Sequence, residues 1–254
     1  MHVAPAAPAL APSTRLMVST RAAALHGVEV GDGLRIVLPR STDELAEWGD
    51  FSLSQATGTK PATHGMHVGF VAPSRGHVDE FWRLGRASGY EDAGLPGERP
   101  HYKPDYYGAF LLDPDGNSVE AVHHGSLRSG GVIDHLWLRA ADIAASRRFY
   151  EVVASRAGLL LHDLSLEHVQ LVGSSGSFSV VAGPPTRNLH LAFPVATNTA
   201  VDEFHRAATS AGHPDDGQPG ERSAYHAGYY GAFVLDPDGN SVELVNHNRV
   251  AAAV

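Results

Sequence analysis

The feature that most restricts the fold of this chain is an internal repeat. Residues 66–124 align without a gap with residues 189–247, at an offset of 123, and 31 of the 59 aligned positions are identical. The longest shared run, Leu-Asp-Pro-Asp-Gly-Asn-Ser-Val-Glu, occupies 112–120 and again 235–243. Solenoid repeats are roughly 20–50 residues long, so a period of this length indicates a duplicated domain instead.

The repeat predicts two domains of the same fold. We predict a flexible tail at 1–12, a first domain at 13–124, a linker at 125–131 and a second domain at 132–248. The linker sequence, Gly-Ser-Leu-Arg-Ser-Gly-Gly, has the composition of a flexible connection.

Hydrophobic periodicity predicts the elements of the second copy. The predicted strands are 133–139, 166–172, 178–182, 189–193, 229–235 and 241–246. One predicted helix begins after Asp142 and ends before Gly158, and another covers about 201–211 with Thr199 as its cap. This order, βαββ(β) twice over, predicts the α+β class, with curled mixed sheets and helices on their outer faces.

Composition excludes several kinds of partner. The net charge of −9 argues against nucleic acid, because phosphate binding needs clustered Lys and Arg. No apolar run reaches the roughly 20 residues of a membrane span, and the absence of cysteine rules out disulfides and thiolate ligands. We therefore expect a cytoplasmic monomer or homodimer that acts on a small molecule.

Two histidines and a glutamate are candidate metal ligands in the second copy. His135 and His190 lie at the starts of predicted strands, and Glu243 lies on the last strand. Two imidazoles and one carboxylate leave coordination positions open for substrate or water, which suits non-haem Fe(II) and also allows Mn, Co, Ni or Zn.

These motifs resemble the vicinal oxygen chelate superfamily, the group that contains glyoxalase I, bleomycin resistance proteins and extradiol dioxygenases. The resemblance rests on the strand and helix that follow each histidine and on the Asp-Pro-Asp-Gly-Asn-x-x-Glu hairpin. It covers 133–247 closely and 13–124 more loosely. It implies two tandem domains of paired βαβββ modules, with the metal held by His135, His190 and Glu243. We favour Fe2+ or Mn2+, with Zn2+, Ni2+ or Co2+ as alternatives.

The first copy has an incomplete set of these ligands. His67 and Glu120 correspond to His190 and Glu243, but Ser13 stands opposite His135. We therefore expect His67 and Glu120 to form a degenerate second site, because metal affinity falls with the number of ligands.

The resemblance also implies catalytic residues. His226 lies shortly before the last two strands, where extradiol dioxygenases carry an acid/base histidine, and imidazole titrates near neutral pH. Those enzymes have a tyrosine at the place of Phe233, so Tyr229, or alternatively Tyr230, is the candidate to supply a hydroxyl group here.

Three functions compete at this stage. The first is a metal enzyme that chelates two neighbouring oxygens of its substrate, either a dioxygenase or a glyoxalase-like lyase or isomerase. The second is a drug-binding resistance protein of the same fold, which needs no metal. The third is an assembly or regulatory module. Fold alone does not decide between them.

Overall fold

The computed structural model describes residues 35–37, 51–53, 56–59, 61–125, 133–173 and 177–248. The predicted tail, Ser13 and linker residues 126–131 lie outside these ranges. The strands before the linker are β1 (Arg35–Val37), β2 (Phe51–Ser52), β3 (His67–Val71), β4 (Glu91–Glu98), β5 (Tyr107–Leu112) and β6 (Ser118–His123).

The strands after the linker are β7 (Ile133–Ala140), β8 (Leu160–Ser165), β9 (His168–Val172), β10 (Ser177–Ala182), β11 (His190–Pro194), β12 (Asp215–Glu221), β13 (Tyr230–Leu235) and β14 (Ser241–Asn246). The described helices are α1 (Arg75–Ala87), α2 (Ile143–Ala157) and α3 (Asn198–Ser210).

Helix α2 begins and ends at the predicted residues. The Asp142 carboxylate accepts a hydrogen bond from the Ala145 backbone N–H at 2.9 Å, and Gly158 adopts the left-handed conformation, with φ 68°. The predicted cap of α3, Thr199, is wrong. Thr197 is the cap instead, because its backbone is extended and its hydroxyl accepts from the Ala200 N–H at 3.2 Å.

Two strands of the second copy were not predicted, because their sequences lack the usual strand signals. Strand β8 is exposed over most of its length, so it shows no apolar alternation. Strand β12 contains two glycines and a proline, which are depleted in strands. Both lie at the edges of their sheets, where these departures are tolerated.

The strands form two mixed sheets, which confirms the predicted α+β class. The eight-stranded sheet has the order β4-β5-β6-β3-β7-β10-β9-β8, and the six-stranded sheet has the order β12-β13-β14-β11-β1-β2. Each sheet takes strands from both sides of the linker. The junction in the larger sheet is the antiparallel pair β3 and β7, and in the smaller sheet it is the parallel pair β1 and β11.

The core lies on one face of each sheet. On β7, Leu136 and Leu138 are buried in the core, and His135 and Trp137 point to the opposite, partly open face. Phe178 of the larger sheet contacts Phe193 of the smaller one, with ring centroids 6.3 Å apart. The two sheets therefore share one hydrophobic core. None of the described helices is long and apolar enough to cross a membrane.

Shortening a core leucine on β7 should destabilise the protein. Leu138 is 2% exposed, and Leu138→Ala should lower the free energy of unfolding by about 2–5 kcal/mol, because it leaves a cavity. The same change at Leu166, which is 96% exposed, should alter it by less than about 0.5 kcal/mol. Urea denaturation followed by circular dichroism measures both values. Equal effects for the two variants would contradict the position of this core.

Candidate metal centre

Three candidate ligands meet on the partly open face of the eight-stranded sheet. They are His67 on β3, Glu120 on β6 and His135 on β7. His67 Nε2 and His135 Nε2 each lie 3.2 Å from Glu120 Oε2, and 2.9 Å separates the two nitrogens. Among the described residues, this is the one group of three or more such side chains whose ligand atoms converge.

Strand register brings the three together. Gly69 on β3 is the register partner of Glu120 on β6 and also of His135 on β7. A side chain at position 69 would fill the space between these two ligands. A Cβ atom there would lie 2.3 Å from Cε1 of His135, which is closer than atoms can approach without a clash. The missing side chain of Gly69 therefore makes room for the His135 ring.

The conserved turn of the repeat fixes the start of β3. The Asn117 side-chain oxygen accepts a hydrogen bond from the Met66 N–H at 3.1 Å, and its amide donates to the Thr63 carbonyl at 2.8 Å. Asp113 in turn accepts from the Asn117 N–H at 2.8 Å. Because Met66 directly precedes His67, the hairpin positions the first ligand.

Each ligand has a second partner on the side away from the cluster. His135 Nδ1 donates to Asp134 Oδ2 at 2.9 Å, and His67 Nδ1 lies 2.9 Å from Ser118 Oγ. The Tyr106 hydroxyl donates to Glu120 Oε1 at 2.7 Å. In metal sites, a partner that binds Nδ1 of a histidine fixes the orientation and the tautomer of the ring. The Nε2 atom is then directed at the ion.

The electrostatics of the cluster favour a positive charge among the ligand atoms. Burial by itself would raise the pKa of Glu120, but hydrogen bonds from His135 and His67 outweigh it and hold this pKa below its usual value. Burial opposes the charged form of His135, but hydrogen bonds to Asp134 and Glu120 raise its pKa to about 9. Burial is the main cause that lowers the pKa of His67.

The donor set fits a divalent metal ion. Ligands about 2.1 Å from an ion and at right angles to one another lie about 3.0 Å apart, whereas tetrahedral ligands lie about 3.4 Å apart. The 2.9 Å separation of the two nitrogens is close to the first spacing, and the two separations of 3.2 Å lie midway between the two spacings. Two imidazoles and one carboxylate can thus occupy one face of an octahedral ion and leave the opposite face free.

The remaining predicted ligands lie in the six-stranded sheet. His190 Nε2 donates to Glu243 Oε2 at 3.0 Å, and Glu243 Oε1 accepts from the Tyr229 hydroxyl at 2.6 Å. The predicted acid/base residue, His226, is in the same region, where its Nε2 lies 3.0 Å from Nδ1 of His247. The predicted catalytic residues, His226 and Tyr229, therefore lie near the pair of His190 and Glu243 and not in the cluster that contains His135.

The structure thus groups the five predicted ligands differently from the prediction. His135 joins His67 and Glu120, which the sequence analysis placed in a degenerate site. One signal in the repeat pointed to this arrangement: the position of Gly69 is occupied by Ala192 in the second copy. The first copy, whose residue at this position has no side chain, leaves room for a third ring beside its histidine and glutamate.

Aromatic rings border the cluster on its open side. The Phe110 ring lies 6.0 Å from the His67 ring, and the Trp137 ring lies 6.3 Å from it on the side of β7. The side chains of His67 and His135 are 20% and 14% exposed, whereas Glu120 is 1% exposed. The two histidine rings are therefore partly accessible to solvent, and Phe110 and Trp137 flank the His67 ring.

Comparisons with known proteins support the fold. Neither family models nor curated proteins match the sequence. Among solved structures, glyoxalase I from Zea mays is 18% identical with a TM-score of 0.53, and the match covers 73% of this chain and 68% of that one. A mutant of that enzyme gives 19% identity, the same coverage and a TM-score of 0.52.

A shorter structure matches half of the molecule. It is a glyoxalase/bleomycin resistance protein from Albidiferax ferrireducens, 22% identical, with 44% of this chain and 96% of that one covered. Its TM-score of 0.40 is too low to support a conclusion. At the identities of the maize structures, similarity establishes the fold and leaves the activity open. The chain therefore has the fold of the vicinal oxygen chelate superfamily, as its sequence motifs predicted.

Proposed function

We propose that the protein is a divalent-metal-dependent enzyme whose metal ion is held by His67, Glu120 and His135. The observation that carries the proposal is the convergence of three ligand atoms within 3.2 Å of one another on a partly open face. The substrate is a small molecule with two neighbouring oxygen atoms, since a facial set of three protein ligands leaves adjacent positions free.

The bound ion would supply Lewis acidity to the substrate oxygens. The protein supplies the rest of the site. Tyr106 holds Glu120 in place through its hydroxyl group, and Asp134 and Ser118 hold the two imidazole rings. Phe110 and Trp137 limit the direction of approach and reduce access of water.

We favour Fe2+ or Mn2+ and a dioxygenase-type reaction, because two histidines and one carboxylate on one face are typical of non-haem Fe(II) oxygenases. A glyoxalase-like lyase or isomerase is the second candidate, and the structural similarity to maize glyoxalase I supports it at the level of the fold. Oxygen uptake with catechols, compared with conversion of α-ketoaldehyde adducts without oxygen uptake, distinguishes the two reactions.

Metal content should depend on the ligands in the eight-stranded sheet. We expect close to one Fe or Mn ion per anaerobically purified chain, and at least about a 10-fold loss in His67→Ala, Glu120→Gln and His135→Ala, because each removes a ligand. Plasma mass spectrometry measures the content.

Matched controls come from the second copy, where His190→Ala and Glu243→Gln change the corresponding residues. Both should keep the metal. If these controls lose it and the His67 and Glu120 variants keep it, the site is the set His135, His190 and Glu243. A wild-type protein that takes up no metal even after reconstitution would leave a metal-free binding protein of the same fold.

A single methyl group at position 69 should weaken metal binding at the cluster. Gly69→Ala places a Cβ atom against the His135 ring, so the ring must move away from Glu120, and we expect metal affinity to fall by more than about 10-fold. Titration with Mn2+ measures the affinity, and circular dichroism verifies the fold. Ala192→Gly, the reverse change in the second copy, should leave the affinity unaltered. Native affinity in Gly69→Ala would show that His135 is no ligand.

A further inference from the structure

A buried carboxylate lies directly behind the metal-binding cluster. Asp134 is 7% exposed, and each of its two oxygens has a histidine partner. Oδ2 accepts from His135 Nδ1 at 2.9 Å, and Oδ1 accepts from His124 Nε2 at 3.1 Å. His124 is 2% exposed.

Tyr106 connects this buried group to a second ligand. Its ring stacks on the His124 ring, with centroids 5.7 Å apart and planes inclined by 17°. Its hydroxyl donates to Glu120. Side chains from β7 and from the regions flanking β5 and β6 thus support two of the three ligands from behind.

We propose that Asp134 and His124 are positioning residues that set the metal affinity of the cluster, an inference that rests on the proposed function. Asp134 accepts the Nδ1 proton of His135 and thereby leaves the Nε2 lone pair for the ion. Its negative charge also strengthens the imidazole as a donor. His124 holds the other carboxylate oxygen, so the carboxylate stays turned towards Nδ1.

Charge balance supports the same assignment. Glu120 and Asp134 bring two negative charges into a buried region, and a divalent cation neutralises both. Burying charges is costly unless they are paired, so two carboxylates this close to the ligand atoms favour positive charge there.

The second copy shows that the fold accommodates a different arrangement at this place. His247 corresponds to His124, and its Nδ1 lies 3.0 Å from His226 Nε2. Lys103 stands at the position of His226 in the first copy. The described contacts therefore differ between the copies: His124 contacts the carboxylate of Asp134, and His247 contacts the ring of His226.

Removing the charge of Asp134 tests the inference. Asp134→Asn keeps the size of the side chain, and Co2+ serves as the probe, because its visible spectrum reports the ligand set. We expect Co2+ to bind about 10–100-fold more weakly, the usual effect of losing an outer partner of a metal ligand. Asp134→Glu, which keeps the charge, should recover part of the affinity. His247→Asn is the matched control for His124→Asn, and only the latter should weaken binding.

A second readout separates positioning from folding. In the metal-free wild type, at a pH high enough for the imidazole rings to be neutral, 15N NMR of the histidine side chains should show the His135 proton on Nδ1, and Asp134→Asn should lose this single tautomer. If Asp134→Asn fails to fold, His124→Asn carries the test.

The outcomes distinguish the two proposals. Wild-type affinity and an unchanged tautomer in Asp134→Asn would overturn the positioning role and leave the metal site intact. A wild-type protein that binds no Co2+ would overturn the proposed function and the positioning role together.

Discussion

The antiparallel pairing of β3 with β7 determines which residues share a site. It places Gly69 opposite His135, while the parallel pairing of β3 with β6 places the same glycine opposite Glu120. Two ligands therefore come from one side of the linker and the third from the other. Because these strands belong to one sheet with a common core, the spacing of the ligand atoms depends on a rigid part of the molecule rather than on loops.

Local signals in the sequence predicted many of the helices, strands and turns, but they did not predict which strands pair over long distances in the chain. The cap at Asp142, the closing Gly158 and the Asp-Pro-Asp-Gly-Asn turn depend on a few neighbouring residues, so they could be identified directly. The repeat also identified both histidine–glutamate pairs. Which pair receives His135 depends on strands that are far apart in the chain, and no local pattern encodes that pairing. The difference between Gly69 and Ala192 was the available signal, because it concerns space beside the ligands.

The two copies keep the same inner hydrogen bonds and differ in the space around them. Tyr106 donates to Glu120 as Tyr229 donates to Glu243, and each glutamate interacts with its own histidine. Conservation of this tyrosine–glutamate–histidine arrangement in both copies indicates that it is compatible with a structural role, since a buried carboxylate needs hydrogen bonds in any case. Among the described residues, the third candidate ligand and the absence of a side chain at position 69 distinguish the cluster at Glu120 from the pair of His190 and Glu243.

The same partition of side chains explains how a metal ion at the cluster, as proposed above, would remain open to a substrate. Alternation along β7 sends Leu136 and Leu138 into the core and His135 and Trp137 to the other face. The candidate ligands are therefore supported on a tightly packed sheet, and the two histidine rings remain partly exposed on the face that carries Phe110 and Trp137. Burial of Glu120 strengthens its attraction for a cation, because the surroundings screen charge less than water does, while the partial exposure of the two histidines leaves one side of that cation available. The candidate ligands and their access to solvent thus lie on one face of the sheet and the core lies on the other, so substitutions that change substrate preference are expected on the open face and those that change stability on the core face.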